Sequence, residues 1–190
     1  MASTAPLPER PAVAAPVPAH AASLDAAALE RLYLRLERPM YNVVYRWLWD
    51  PQDAREVVQD AFLRIWRRRD DVRMETVEPL LYRTALNLAA NRLRTRRLRR
   101  WFLGPTVEEA EPASRGPDAE TQAAQRERLA AVRRAVEALP DRLRRVLMLC
   151  ELAELSYEQV AATLDIPAGT VASRRHEALG RLRRELGEER

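Results

Sequence analysis

Residues Leu155–Leu186 read LSYEQVAATLDIPAGTVASRRHEALGRLRREL, and this stretch decides the fold. It spells a helix, a tight turn and a second helix rich in arginine. Ser156 with Gln159 three residues on is a capping box: the hydroxyl serves an orphan backbone N–H and the amide reaches back to the cap. Tyr157, Val160, Ala161 and Leu164 then fall at i, i+3, i+4 and i+7, one apolar stripe of a helix. Asp165-Ile166-Pro167 ends the period, because proline cannot continue a helix. The period resumes at Gly169 or Thr170. Val171, Ala178, Leu182 and Leu186 then face inward, and Thr170, Ser173, Arg174, Glu177 and Arg181 face outward. Amphipathic helices joined by a proline turn also occur as plain packing hairpins. Two details favour a helix presented to DNA: the turn is short, and the outer face mixes small hydroxyls with arginine, groups that hold phosphates and reach base edges.

Composition narrows the classes. A chain of 190 residues suits one ordinary domain or two small ones. Its 32 basic residues against 28 acidic give a net charge of +4, which suits a polyanionic partner without demanding one. Every basic residue is arginine and none is lysine, so part of the arginine abundance reflects coding bias. Cys150 is the single cysteine, which excludes an internal disulfide and a cysteine-based zinc site and fits a reducing cytoplasm. Its ordinary role is that of a small buried apolar residue. No run approaches the ~18 apolar residues of a membrane span, and the N-terminus lacks a signal-peptide pattern. A cytoplasmic protein without membrane insertion is expected. His20 and His176 offer no paired site, and five glycines include no phosphate-cradling loop, so neither catalysis nor a cofactor or metal is expected.

Along the chain the pattern is all-α. Residues 1–22 interleave Pro and Ala with little to build a core, and read as a disordered tail. Residues 23–103 read as one helical domain. Ser23 is expected to cap a first helix that ends or kinks at Pro39, and a second covers Tyr41–Trp49. Asp53 and Glu56 are expected to cap a third, REVVQDAFLRIWRR, and a fourth starts near Glu78-Pro79. Residues 104–117, GPTVEEAEPASRGP, break every period and carry Glu108, Glu109 and Glu111, an acidic linker. Residues 118–190 are helical again and end in the stretch quoted first. Fully extended, the linker spans at most roughly 45 to 50 Å. Two domains so tethered reach DNA sites about two helical turns apart, at ~34 to 36 Å per turn.

A second constellation lies in the fourth helix. From Arg83 to Arg100 there are arginines at 83, 92, 94, 96, 97, 99 and 100 and no acidic residue. A charge run is usually a solvated face. Here Leu81, Ala85, Leu88 and Ala89 form a buried stripe, while Arg83, Asn87, Asn91 and Arg94 share a different face. Asn pairs with base edges and Arg holds phosphates or stacks on bases, so this face favours nucleic acid. Trp101 and Phe102 beyond it suit base stacking or, more ordinarily, a satellite core cluster. The third helix shows Arg55, Glu56, Gln59, Asp60 and Arg64 outward, a mixed surface that suits a protein partner.

Taken together, these segments resemble the sigma-70 family, in its small extracytoplasmic-function (ECF) group. DAREVVQDAFLRIWRR resembles region 2.2, LLYRTALNLAANRLRTRR regions 2.3 and 2.4, and LPDRLRRVLMLCELAELSYEQVAATLDIPAGTVASRRHEAL regions 4.1 and 4.2. The resemblance covers about residues 24–187. It implies a sigma2-like bundle and a sigma4-like helix-turn-helix joined by a flexible acidic linker, in a non-enzymatic initiation factor for bacterial RNA polymerase. Glu56, Gln59, Asp60 and Arg64 would dock on the beta-prime clamp of the core enzyme. Arg83, Asn87, Asn91 and Arg94, with Arg96 and Arg97, would bind the minus-10 element as the duplex melts and a base is captured outside the stack. Thr170, Ser173, Arg174, Glu177 and Arg181 would enter the major groove of double-stranded minus-35 DNA. The helix around Val146 and Leu149 would seat on the beta flap, and an anti-sigma factor would mask the polymerase-binding surfaces. Ala172, Arg175, Glu177 and Leu179 depart from the family pattern, Asp165 stands where Gly usually ends a helix, and Arg55 where an acidic residue is common. The competing reading is a stand-alone helix-turn-helix regulator, in which the Asn/Arg face and the acidic linker have no task.

Overall fold

The structure is a computed structural model that describes residues 24–103 and 119–187. The expected tail and linker lie outside these. Among the described residues there are seven α-helices and one 3-10 turn.

Helix α1 (Ala26–Leu48) is capped by Asp25, whose carboxylate accepts the Ala28 N–H at 2.6 Å. Asp25, rather than the expected Ser23, therefore starts the helix. Pro39 neither ends nor divides it. The proline removes one backbone bond, at a cost of about 3 kcal/mol. Leu32, Leu36, Met40, Val43, Val44 and Trp47 line one buried face on both sides of it. Packing along that face outweighs the lost bond, so one long helix replaces the two expected.

Helix α2 (Pro51–Arg67) is capped by Asp50, three residues before the expected Asp53. Asp50 accepts the Asp53 N–H at 2.8 Å, and Pro51 takes the first helical position, where no donor is needed. Asp53 is thereby released to face α3. Helix α3 (Met74–Leu103) also begins early and absorbs Pro79 within its first two turns. It is held there by buried Val77, Leu81 and Tyr82 and by the Arg35–Glu78 ion pair at 2.8 Å.

Helices α4 (Ala119–Ala138), α5 (Asp141–Glu151), α6 (Tyr157–Leu164) and α7 (Ala168–Glu185) follow. The capping box of α6 forms in both directions: Ser156 Oγ accepts the Gln159 N–H and Gln159 Oε1 accepts the Ser156 N–H. Asp165 takes the left-handed conformation (φ 57°) and makes the turn, and Asp tolerates this better than most residues. Helix α7 starts at Ala168, slightly before the expected Gly169 or Thr170, because Pro167 leads into it with a suitable φ of −61°.

The α1–α3 bundle and the α5–α7 unit pack directly on one another. One apolar cluster continues from α1–α3 into Val146, Met148, Leu149, Val160 and Val171. A smaller one joins Leu139, Leu143 and Leu147 to Ala178. At the junction Arg144 is 1 % exposed, stacks 4.2 Å over the Trp47 ring and donates to the Trp47 and Arg46 carbonyls at 2.8 and 3.2 Å. Those carbonyls belong to the last turn of α1, where the helix dipole favours a cation. Burial lowers the Arg144 pKa to about 10, which leaves it charged at neutral pH.

The Ser156→Ala variant loses the side-chain half of the capping box. It should cost about 1 kcal/mol of unfolding free energy, read by urea titration, with Ser156→Thr nearly neutral. An unchanged midpoint for Ser156→Ala would remove the cap from the account of how α6 starts.

Candidate nucleic-acid interface

At ~100° per residue, Arg83, Asn87, Asn91 and Arg94 fall within about an 80° arc of α3. Asn87, Asn91 and Arg94 are exposed, and Arg83 is half-buried. The residues differ in what holds them. Arg83 donates from Nε to the Thr163 carbonyl at 2.8 Å and from its terminal nitrogen to the Ala162 carbonyl at 3.1 Å, so it latches onto the last turn of α6. Asn87 accepts from Arg145 of α5 at 2.9 Å. Asn91 accepts from Arg94 at 2.9 Å on the solvent side. The upper half of the stripe is thus engaged by the C-terminal helices, and the lower half is open.

Arg96 does not share this stripe. It lies on the opposite side of α3 with Arg92, facing the first turn of α2. Arg96 pairs with Asp50 at 2.7 Å and with Asp53; Arg92 pairs with Asp53 at 2.6 Å and with Glu56. Burial opposes the Arg92 charge, but bonds to Asp53 and Glu56 outweigh it and raise its pKa. Burial would raise Asp50, yet the Asp53 backbone N–H and Arg96 hold it below its ordinary value. The Arg92 hydrogen bond, aided by Gln52, likewise lowers Glu56. Arg97 remains exposed, close enough to Arg144 to act on its charge.

Of the expected protein-binding group on α2, Glu56 is therefore tied to α3, while Gln59, Asp60 and Arg64 are exposed. Beside them lies an open apolar groove of about 360 Å³, lined by Leu29, Tyr33, Phe62, Leu63 and Trp66. The sequence reading missed it. Its signal was Leu63, 42 % exposed, an apolar residue inside the polar arc of Gln59, Asp60 and Arg64.

On α7 the expected outer residues lie at or near the surface: Ser173 and Arg181 are exposed, and Thr170, Arg174 and Glu177 are half-buried. Glu177 pairs with Arg181 at 2.8 Å, one turn apart, and offsets its charge. Arg175, off the family pattern, bonds Glu151 at 2.7 Å and the Tyr157 hydroxyl at 3.4 Å. The Glu151 hydrogen bond raises its pKa. It therefore docks α7 on α5 and α6 by a polar contact where an apolar residue is usual. Cys150 is half-buried, and desolvation raises its pKa, which disfavours the thiolate. Among the described residues no cluster of three potential metal ligands occurs, and no helix is long and apolar enough to cross a membrane.

A helix bearing an Asn/Arg stripe and a helix-turn-helix in one chain are features of a DNA-binding protein, and the matches below give its class. Residues 32–99 match sigma-70 region 2 and residues 129–182 match sigma-70 region 4. The chain is 32% identical over 157 residues to RNA polymerase sigma-H factor of Pseudomonas aeruginosa, covering 79% of this chain and 81% of that protein. It is 34% identical to the ECF RNA polymerase sigma-E factor of Escherichia coli K12, covering 79% and 82%. Its fold matches the sigma factor RpoE in its co-crystal structure with the anti-sigma factor NepR from Bartonella quintana, at a TM-score of 0.61 and 22% identity, over 85% of this chain and 98% of that one. The chain belongs to the sigma-70 family, in the ECF group, whose non-enzymatic members direct RNA polymerase to promoters.

Asp50 stabilises the fold as a carboxylate of lowered pKa. Its contribution is complete above the ordinary Asp value of ~4 and is lost as pH falls through the lower folded-state value. Asp50→Asn keeps a capping side chain but removes the charge. Its urea stability should vary less than wild type between about pH 5 and pH 2. Identical pH slopes for the two proteins would separate this carboxylate from acid stability.

Proposed function

We propose that the protein binds core polymerase through α2 and the α5 unit and grips a promoter at two points, α3 on the minus-10 element and α7 on the minus-35 element. The observation that carries this is the α3 stripe. Asn87 and Asn91 offer the donor-acceptor pair that reads base edges, and Arg83 and Arg94 flank them as phosphate contacts. In this assignment Arg97 belongs to the rim of the stripe, and Arg96 serves the fold. On α7, Thr170, Ser173, Arg174 and Arg181 meet the major groove, with Glu177 tempering the charge.

Gln59, Asp60, Arg64 and the neighbouring apolar groove form the clamp-facing surface, with Glu56 positioned behind them by Arg92. Val146 and Leu149 are buried, and Arg144 ties α5 to the end of α1; in this reading α5 seats on the beta flap after that tie opens. The contact of Arg83 with α6 supports the same sequence of events: the two units separate before both DNA elements are engaged. An anti-sigma factor that holds them together would keep the protein inactive in the cytoplasm, as the RpoE–NepR pairing suggests by analogy.

Purified protein added to core polymerase should start transcripts at a defined promoter that core enzyme alone ignores. If no complex with core forms on a sizing column, the assignment fails. Arg94→Ala should lower promoter affinity and reduce the salt-dependence slope by about one phosphate contact, whereas Asn87→Ala should alter sequence preference at the minus-10 element more than overall affinity. An unchanged slope for Arg94→Ala, or uniform loss across promoter variants for Asn87→Ala, would withdraw that residue from the interface.

A further inference from the structure

The groove between α1 and α2 is walled by three aromatic rings. Tyr33 and Phe62 meet edge to face, with centroids 5.1 Å apart at 70°, and Trp66 lines the same groove with the Arg69 guanidinium 4.7 Å over its ring. Leu29 and Leu63 add aliphatic wall, and Ala26, the first residue of α1, lines it as well. Open grooves walled by aromatic rings are where proteins take proline-rich segments, because an extended polyproline helix is stiff before it binds and loses little entropy on docking.

The chain carries such a segment beside this groove. Residues 1–22 lie outside the described residues, and their sequence holds five prolines, at 6, 8, 11, 16 and 18. They join the described structure at Leu24, buried at 2 % exposure, and Asp25, the cap of α1. The tail therefore meets the fold two residues before Ala26, at the groove itself. From Ala26 to Tyr33 the groove follows α1 for about 10 Å, at 1.5 Å per residue. Residues 19–23 reach at most roughly 16 to 18 Å when extended, enough to turn back along that length. Val13–Pro18, VAAPVP, then comes alongside the aromatic wall, antiparallel to α1. This segment carries no charge, whereas Glu9 and Arg10 fall further out. Val13 and Pro16 lie three residues apart, on one face of a polyproline helix with three residues per turn.

We propose that Val13–Pro18 docks in the α1–α2 groove of its own chain as a polyproline segment, covering the surface assigned to the clamp until core polymerase displaces it. The docking rests on the groove alone, and its effect on polymerase rests on the clamp assignment. A short tether gives an effective concentration of about 1 mM, so a segment with a Kd of ~0.1 mM is docked about ten to one.

In the full chain with Val17 replaced by the photoreactive p-benzoylphenylalanine, irradiation should give a cross-link within one monomer to the α2 segment around Leu63 and Trp66, read by mass spectrometry. Adding Val13→Asp/Pro16→Asp, both outside the packed helices, should lower that product about 5-fold or more. With Val17 in place, Val13→Asp/Pro16→Asp should bind core polymerase about 10-fold more tightly than wild type, because nearly every molecule then has its groove open. A cross-link to another part of the chain, one formed only between two chains, or none at all would overturn the docking. So would a product that Val13→Asp/Pro16→Asp leaves undiminished. The expected cross-link with equal core affinity in the two proteins would leave the docking in place and instead remove the groove from the clamp-facing surface.

Discussion

The rest of the structure depends on the rotation of α3, and that rotation is set by the ion cluster of Arg92 and Arg96 with Asp50, Asp53 and Glu56. Single pairs at such partly exposed positions contribute little. Here three carboxylates in the first turns of α2 meet two guanidinium groups spaced one turn apart, and each group is held by more than one partner. Acidic residues at a helix start are also favoured by its dipole. Turning α3 by one residue would move it by about 100° and break all of these contacts at once. With that face committed and the apolar face sunk against α1 and α2, the arc through Asn87, Asn91 and Arg94 is left outward.

The same cluster shows why charge counted along the sequence misleads. Of the seven arginines between Arg83 and Arg100, Arg92 and Arg96 are neutralised within the fold, and Arg83 is bound to the carbonyls of α6. A run that looks uniformly basic is therefore divided by helical geometry into structural and exposed charges. The period separates them, but only once the positions of Asp50 and Asp53 in space are known.

Local signals were legible where they are self-contained. Ser156 with Gln159 fixes the start of α6 within four residues, and Asp165 with Pro167 fixes its end, because capping and turn chemistry need no distant partner. The signals failed where tertiary packing competes with them. Pro39 reads as a break, yet the continuous buried face from Leu32 to Trp47 carries the helix through. Asp53 reads as a cap because nothing in its neighbours reveals that Asp50 caps and that Arg92 and Arg96 lie opposite. The apolar groove beside Leu63 and the exposure of Trp101 were hidden for the same reason: periodicity says which side chains share a face, not which faces find a partner.

The junction between the two helical units shows the physical signature of a contact made to be exchanged. Trp47 Nε1, Trp49 Nε1 and Arg144 Nε are buried there without an acceptor among the described residues, and an unpaired buried donor costs about 1–3 kcal/mol. Arg144 is held by helix-end carbonyls and an aromatic face, and burial lowers its pKa. The apolar cluster of α1–α3 also continues into this unit, reaching Val146, Met148, Leu149 and Val160. The orphaned donors regain water when the units part. The contact that covers Arg83 and Asn87 is therefore one whose loss is readily offset, and it lies over the upper half of the stripe proposed to read the promoter.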